Sequence, residues 1–268
     1  MAHDTTQAPE RLTSVSIDPR EMESFSRMAH DWWNPTGMFR PLHVMNGARL
    51  ALIKDWVCDH YGRDPDAERP LEGLRLLDIG CGGGLLCEPM VRLGAQVTGV
   101  DALERNVKTA KTHAQAVGVE VDYRHGTIEQ MVEAGEEPFD VVLNMEVIEH
   151  VADPARFIAD CAAMVKPPAG NRPEGDQPGG IMLCSTINRT LKAFALAIVG
   201  AEYILRWLPR GTHQYEKLVK PSELDRYLRD AGLDVTGRTG MSLNPVNEVW
   251  RLTDDLGINY VTKAIKHG

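Results

Sequence analysis

The segment VVLNMEVIEHV, residues 141–151, ends an aliphatic run with three side chains that can do chemistry: Glu146, Glu149 and His150. If a strand stops at Met145 and a helical turn follows, these three lie at i, i+3 and i+4 and share one face. Two carboxylates and one imidazole form a mixed oxygen and nitrogen set that can bind Mg²⁺ or a similar divalent ion. The segment therefore predicts a metal site with positions left open for a ligand.

A second group of residues suited to ligand binding is the glycine-rich segment LLDIGCGGGLL, residues 76–86. Glycines at a strand-to-helix turn permit positive φ and let a ligand approach the backbone. The dinucleotide fingerprint G-x-G-x-x-G that begins at Gly80 would need glycine where Leu85 stands, which weakens the prediction of a pyrophosphate site. Asp101 follows Gly80 by 21 residues and ends a predicted strand, where a carboxylate can accept ribose hydroxyls. The pair predicts nucleoside binding, and the alternative is a tight turn with Asp101 as a helix cap.

The elements that must position these residues form an alternating pattern from Leu74 onward. Short aliphatic runs alternate with helix-period segments, which is typical of β-α-β units and of a parallel sheet covered on both faces. Asp153 is predicted as the N-cap of a helix with Pro154 at its first position. The predicted strands are residues 75–79, 96–101, 121–124, 139–145 and 181–185, and the predicted helices are residues 85–93, 104–116 and 154–165. The fold class is therefore α/β, a doubly wound, mostly parallel sheet.

Length and composition favour one globular domain. The chain has 268 residues, of which 43% are hydrophobic and 25% charged. We expect a disordered tail at 1–17 and a single domain at 18–268. Within that domain, 18–60 is a helical preface across the cofactor cleft, and 188–219 is an apolar insertion after the fifth strand.

Charge and cysteine content exclude several classes of protein. The net charge of −9 argues against nucleic acid as a partner, because such proteins gather basic residues for phosphate contacts. Five cysteines without C-x-x-C spacing indicate neither a disulfide framework nor a zinc site, which fits a reducing cytoplasm. No run reaches the ~18 apolar residues of a membrane-spanning helix.

The pattern D-x-G-x-G-x-G at strand one, an acid closing strand two, and strand four ending in NMEVIEHV resemble class I S-adenosylmethionine-dependent methyltransferases of Rossmann-like fold. More specifically, DWWNPTGMFRPLHVMNGARL, MEVIEHVADP, STINRT and VGAEYILRWLPRGTHQYEKLVKPSEL resemble the ubiquinone-biosynthesis O-methyltransferase family. The resemblance implies that Arg49, Gly80, Asp101 and Met145 contact S-adenosylmethionine. Arg49 would pair with the methionyl carboxylate, Asp101 with the ribose, and Met145 with the adenosyl portion.

The family's activity implies polyprenylated catechol and quinol substrates, 2-polyprenyl-6-hydroxyphenol and 3-demethylubiquinol, methylated at two steps of quinone biosynthesis. A catechol could fill the open positions of the predicted metal site, where Lewis-acid coordination would stabilise the phenolate. Two alternatives remain for Glu146, Glu149 and His150: His150 acts as a metal-free general base, or the three have a structural role. The rival functions are methylation of another, water-soluble phenol, an NAD-dependent oxidoreductase, and a lipid-binding module without turnover.

The insertion predicts attachment to a membrane surface. Residues 190–208, TLKAFALAIVGAEYILRWL, carry apolar side chains together with the cations Lys192, Arg206 and, just downstream, Arg210, which suit anionic head groups. The alternative is a buried helix that covers the active site. We therefore expect a cytoplasmic protein associated peripherally with the membrane, with a quinone-biosynthesis complex as a further partner.

Overall fold

The computed structural model describes Ser26 and residues 28–267, except 170–177, 196–213 and 245–246. Its strands are β1 (Arg75–Ile79), β2 (Gln96–Asp101), β3 (Asp122–His125), β4 (Val141–Met145), β5 (Ile181–Ile187), β6 (Leu233–Asn244), β7 (Val249–Thr253) and β8 (Asn259–Lys266). Its α-helices are α1 (Arg40–Tyr61), α2 (Cys87–Arg92), α3 (Glu104–Val117), α4 (Ile128–Glu133), α5 (Pro154–Ala163), α6 (Leu191–Ala193) and α7 (Pro221–Asp230). Short 3-10 helices span Ala29–Asp31, Ile148–His150 and Tyr215–Lys217.

Within the described residues, one sheet contains eight strands in the order β3-β2-β1-β4-β5-β8-β6-β7. The first five strands of that order run parallel, and β8, β6 and β7 join with antiparallel pairing. The strand order reverses between β1 and β4, and in open α/β sheets ligands bind at such a switch point, beyond the carboxyl ends of the strands. The predicted α/β, mostly parallel fold is confirmed.

Apolar side chains cover both faces of the sheet. On one face, residues of α1, α2 and α3, such as Ile53, Met90 and Ala110, pack against the strands. On the other face, α4, α5 and α7 contribute Ile128, Phe157 and similar residues. A strand buried on both faces is expected to be a continuous aliphatic run, and β4 and β5 are buried at every position.

The predicted bounds agree with the structure to within a few residues. The strand predicted from residue 139 begins at Val141, because Phe139 forms an isolated bridge with Val165 before the regular pairing. Asp153 caps α5 as predicted, accepting the backbone N–H of Arg156 at 3.1 Å, with Pro154 in the first turn.

Two further observations concern the cysteine side chains and the lengths of the helices. All five cysteines are buried free thiols. Among the helices that the structure describes, none has the length and apolarity to cross a bilayer.

Candidate active site

The glycine loop between β1 and α2 bends back onto the end of β2. Gly80 has φ of +69° and donates its N–H to the carbonyl of Val100 at 2.8 Å. A Cβ on Gly80 would lie 2.6 Å from a methyl carbon of Val147, so glycine is required by space as well as by φ. Gly82 donates its N–H to Asp101 Oδ2 at 2.9 Å. The predicted loop and the predicted acid are therefore joined directly.

Asp101 is buried, and its carboxylate has several protein donors. Besides Gly82, the backbone N–H of Leu103 donates to Oδ1 at 2.8 Å and Asn106 Nδ2 donates to Oδ1 at 3.1 Å. Burial raises the pKa of Asp101, and the hydrogen bonds from Leu103, Gly82 and Asn106 oppose this shift. A carboxylate has about four lone-pair sites. Three donors leave Asp101 able to accept one more hydrogen bond, as a ribose hydroxyl would require.

Arg49 lies on α1 and is only 4% exposed. Its Nη2 donates to Asn46 Oδ1 at 3.1 Å, whereas its Nε is buried without a hydrogen-bond partner. Burial lowers the pKa of Arg49, and the nearby charges of Glu146 and Asp78 raise it. A buried guanidinium with an unused donor is suited to bind a carboxylate group of a ligand.

Asp78 is buried in β1, one residue before the strand ends, and was not among the predicted site residues, although it begins the D-x-G-x-G-x-G pattern. The Cys87 thiol donates to its Oδ2 at 3.2 Å. Burial raises the pKa of Asp78 from 3.8 to about 7, against the opposing effects of the Cys87 hydrogen bond and the Arg49 charge. Asp78 therefore exchanges a proton near neutral pH.

This raised pKa predicts a specific dependence of stability on pH. Folded Asp78 holds its proton more tightly than Asp78 in the unfolded chain does. The free energy of unfolding therefore falls as pH rises from about 4 towards 7. Asp78→Asn removes that titration. We expect the difference in unfolding free energy, variant minus wild type, to rise by roughly 2–3 kcal/mol between about pH 5 and about pH 8. Urea unfolding at the two pH values measures it, and a constant or falling difference would contradict the assignment.

Two tryptophans of the preface pack on the glycine loop. A Cβ on Gly82 or Gly83 would lie 2.4 Å from an atom of Trp32, so the indole is in close contact with both glycines. Trp33 Nε1 donates to the carbonyl of Gly83 at 2.8 Å. Trp32 also stacks on Phe39 with 3.7 Å between ring centroids. The described part of the preface therefore lies against the loop expected to hold the cofactor.

The carboxyl end of β4 does not continue as one helical turn. Glu146 has φ of +60°, which is unusual for a residue other than glycine, and the following 3-10 helix spans only Ile148–His150. Two distant residues hold the Glu146 carboxylate: Ser185 Oγ donates to Oε1 at 2.7 Å and Asn259 Nδ2 donates to Oε2 at 3.3 Å. The i, i+3, i+4 geometry assumed from the sequence therefore does not apply.

Glu149 is 2% exposed, and its carboxyl group is buried beside the Thr186 side chain and the Ile187 backbone. Burial raises the pKa of Glu149 well above its usual value, and the charge of Glu146 raises it further. In the part of the chain that the structure describes, no three His, Cys, Asp or Glu side chains are grouped so that they could share a metal ion. The predicted three-ligand set of Glu146, Glu149 and His150 is therefore not formed here.

The other predicted residues lie where the topology brings the strand ends together. Gly80 follows β1, Asp101 ends β2, and Met145 ends β4 with 7% of its surface exposed, within the apolar cluster that also contains residues of α1. Arg49 reaches this region from α1 and is near enough to Asp78 and Glu146 for their charges to raise its pKa. One edge of the sheet thus carries the predicted nucleoside residues next to two carboxylates and an imidazole.

Comparison with known proteins identifies the family of the chain. A family model described as "Methyltransferase domain" matches residues 77–169. The "Ubiquinone biosynthesis O-methyltransferase" of Maricaulis maris is 55% identical over 259 residues, covering 97% of each chain. The protein of the same name from Sinorhizobium medicae is 57% identical over 250 residues, which are 93% of this chain and 96% of that one. The chain belongs to the ubiquinone biosynthesis O-methyltransferase family.

Solved structures support the fold of this family member. Magnesium protoporphyrin IX methyltransferase from Synechocystis PCC 6803, with bound SAH, is 19% identical with a TM-score of 0.58, covering 90% of this chain and 99% of that one. The plantazolicin methyltransferase BpumL is 13% identical with a TM-score of 0.60, covering 93% and 98%. The protein is an S-adenosylmethionine-dependent O-methyltransferase, which confirms the resemblance and the predicted cofactor. The relatives give no support to an NAD-dependent oxidoreductase.

Proposed function

We propose that the protein transfers the methyl group of S-adenosylmethionine to phenolic hydroxyls of polyprenylated catechol and quinol intermediates of ubiquinone biosynthesis. The names of relatives that match nearly the whole chain support this proposal. The observation that carries it is the pair Glu146 and His150 beyond β4, at the sheet edge that also carries Gly80 and Asp101. A phenol needs to lose its proton to attack, and these are groups that can orient it and accept that proton.

The proposed reaction is a direct displacement. The phenolic oxygen forms a bond to the methyl carbon as the carbon–sulfur bond breaks, so that S-adenosylhomocysteine leaves. His150 takes the phenolic proton, and Glu146, held by Ser185 and Asn259, orients the hydroxyl. Holding both reactants in line supplies proximity and alignment, which account for much of the rate in such transfers.

The cofactor roles proposed for the four predicted residues follow from their positions. Arg49 pairs with the methionyl carboxylate through its unused Nε and its Nη atoms. Gly80 lets the cofactor approach the backbone, and Asp101 accepts a ribose hydroxyl. Met145 packs against the adenosyl portion from the end of β4.

A divalent ion is proposed with fewer protein ligands than the sequence suggested. Mg²⁺ in enzymes is commonly held by one or two carboxylates together with water and substrate oxygens. Glu146 and Glu149 fit such a pair, because the Glu149 carboxyl is buried and the charge of Glu146 raises its pKa further. When bound, the ion would supply Lewis-acid stabilisation of the phenolate.

Chelation tests the ion. We expect exhaustive EDTA treatment to lower turnover at least tenfold, and added Mg²⁺ to restore it, because the phenolate would lose its Lewis acid. The affinity for S-adenosylmethionine, measured by calorimetry on the same sample, should stay within twofold. Full activity after chelation would leave His150 alone to activate the phenol.

Attachment to the membrane through residues 190–208 is also proposed. Most of this segment, residues 196–208, lies outside the described residues. In the described part, Leu191 is 80% exposed and Phe194 is 41% exposed, although both are large and apolar. A polyprenyl tail resides in the bilayer while its ring must reach the active site, so an apolar surface near that site favours interfacial binding.

The double variant Leu191→Asp/Phe194→Asp tests this attachment. We expect its partition onto anionic liposomes to fall at least tenfold in co-sedimentation, because two apolar contacts of roughly 1.5–3 kcal/mol each for full burial are lost and two negative charges are added. Val117→Asp is the matched control, since Val117 is 44% exposed at the far end of α3. Equal partition of the double variant, the control and the wild type would rule the segment out.

Substrate comparison tests the proposed function itself. Catechol and a catechol with a short prenyl chain present the same reacting hydroxyls, so their kcat/KM ratio isolates recognition of the tail. We expect the prenylated compound to be favoured at least tenfold, which corresponds to burial of about two CH₂ groups. Equal kcat/KM values would favour the alternative, an O-methyltransferase of another small phenol.

A further inference from the structure

We infer that Asn106 is a positioning residue for the cofactor's ribose: it fixes the Asp101 carboxylate and joins it to Trp32 of the preface. Asn106 lies in the first turn of α3 and is 3% exposed. The inference rests on the proposed role of Asp101 as the ribose acceptor. It assigns a function to the side-chain amide of Asn106, which contacts Asp101 and not the ribose.

Both ends of the Asn106 amide are engaged. Its Nδ2 donates to Asp101 Oδ1 at 3.1 Å, and its Oδ1 accepts the indole N–H of Trp32 at 2.9 Å. Because the N–H of Trp32 is a donor only, it fixes which end of the amide is oxygen. The nitrogen end must then face Asp101, and the orientation is set by hydrogen bonding on both sides.

The two partners of Asn106, Asp101 and Trp32, both contact the glycine loop. Asp101 Oδ2 accepts the N–H of Gly82, and Trp32 packs against Gly82 and Gly83. The loop, the acid, the amide and the indole therefore form a closed ring of contacts between segments that are far apart in sequence. Leu103 and Asn106 both donate to Oδ1 of Asp101, so the remaining lone pair lies on Oδ2 beside the Gly82 N–H, and Asn106 contributes to its direction by holding the carboxylate plane.

A residue that only stabilised the fold would weaken the binding of every ligand equally. A residue that orients Asp101 should instead matter most for the ribose hydroxyl that Asp101 accepts. The two roles are separated by a ligand that lacks the hydroxyl, because such a ligand cannot lose an interaction that it never makes.

The experiment measures dissociation constants by calorimetry for S-adenosylhomocysteine and its 2′-deoxy analogue. The variants are Asn106→Ala, the isosteric Asn106→Asp, which keeps an acceptor for Trp32 but replaces the amide donor with a second carboxyl group beside Asp101, and Trp32→Phe, which keeps an aromatic ring packed on Gly82 and Gly83. Asp101→Ala reports on the acceptor itself. Asn188→Ala is the matched control, because Asn188 is also a buried asparagine and donates to the carbonyl of Leu256 instead. Thermal unfolding verifies that each variant is folded.

In wild type, we expect loss of the hydroxyl to weaken binding roughly tenfold, as removal of a hydrogen bond to a charged group does. Asn106→Ala and Asn106→Asp should weaken the binding of S-adenosylhomocysteine about tenfold. In these variants, loss of the ribose hydroxyl should cost about threefold or less in affinity. Trp32→Phe should change the affinity and this ratio in the same direction. Asn188→Ala should leave both values unchanged.

One outcome would contradict the inference about Asn106, and another would contradict the proposed role of Asp101. If folded Asn106 variants keep the wild-type affinity and the full deoxy penalty while Asp101→Ala loses both, the inference about Asn106 is wrong and the proposed cofactor site stands. If Asp101→Ala binds as tightly as wild type, the proposed ribose acceptor itself is wrong. Should Asn106→Ala not fold, Asn106→Asp and Trp32→Phe still decide between these outcomes.

Discussion

His150→Ala is expected to lower turnover by about 10²–10⁴-fold at saturating S-adenosylmethionine, which is the usual contribution of a positioned general base. The variant keeps the 3-10 helix at Ile148–His150 but removes the imidazole that takes the phenolic proton. The affinity for S-adenosylmethionine should change less than twofold, because the predicted cofactor contacts are made by other residues. Steady-state kinetics and calorimetry on the same preparation measure the two quantities.

His60→Ala is the matched control for this loss. His60 lies at the end of α1 and contacts the carbonyl of Gly179, just before β5 begins and therefore at the opposite edge of the sheet. Its turnover should stay within twofold of wild type. A His150→Ala enzyme that keeps a third or more of its turnover, or that loses cofactor affinity in proportion, would remove His150 from the proposed chemistry.

Arg49→Met should weaken S-adenosylmethionine binding roughly 30- to 1,000-fold, since loss of one partner of a buried charge pair costs about 2–4 kcal/mol or more. Methionine preserves much of the length of the side chain but leaves Asp78 and Glu146 without the nearby positive charge that now offsets them. The measurement is the dissociation constant by calorimetry. Unfolding is followed in parallel, because loss of the positive charge beside these buried or half-buried acids also lowers the stability of the fold.

Two companion substitutions sharpen this result. Arg49→Lys keeps the charge without the planar fork, so we expect an intermediate loss. Lys54→Met removes a cation from the same helix where it donates to the carbonyl of Pro65, and it should leave cofactor affinity unchanged. If Arg49→Met folds and binds within threefold of wild type, the methionyl carboxylate is held elsewhere.

Residues whose roles depend on local pattern were predictable from the sequence. The run LLDIG before a glycine cluster places Gly80 at a strand-to-helix turn, and Asp101 ends the next aliphatic run, so both fall at one edge of a parallel sheet. Asp153 was predictable as an N-cap because capping depends on residues three positions apart.

Residues whose roles depend on distant partners were not predictable in this way. Glu146 adopts positive φ and bonds to Ser185 and Asn259, which follow it by 39 and 113 positions, and this overrides the helical periodicity assumed for the segment. Trp32 meets Asn106 across 74 positions. No periodic pattern specifies such pairs, because only the folded sheet brings their segments together.

The antiparallel edge formed by β6, β7 and β8 was likewise not predicted. β7 has only exposed and half-buried positions and contains no continuous aliphatic run, so it lacks the pattern that identified the parallel strands. It is an edge strand that pairs with β6, where Leu252 lies opposite Met241, and this pairing brings together segments that no local pattern connects.

Transfer of a methyl group to a phenolic oxygen is tested by following a labelled methyl group. Enzyme, S-adenosylmethionine labelled with ¹³C in its methyl group, and a short-chain prenylated catechol are incubated together, and the product is examined by NMR. We expect one labelled carbon with the shift of an aryl methoxy group, formed in equal amount to S-adenosylhomocysteine. Label on a ring carbon, or release of S-adenosylhomocysteine with no labelled phenolic product, would contradict it.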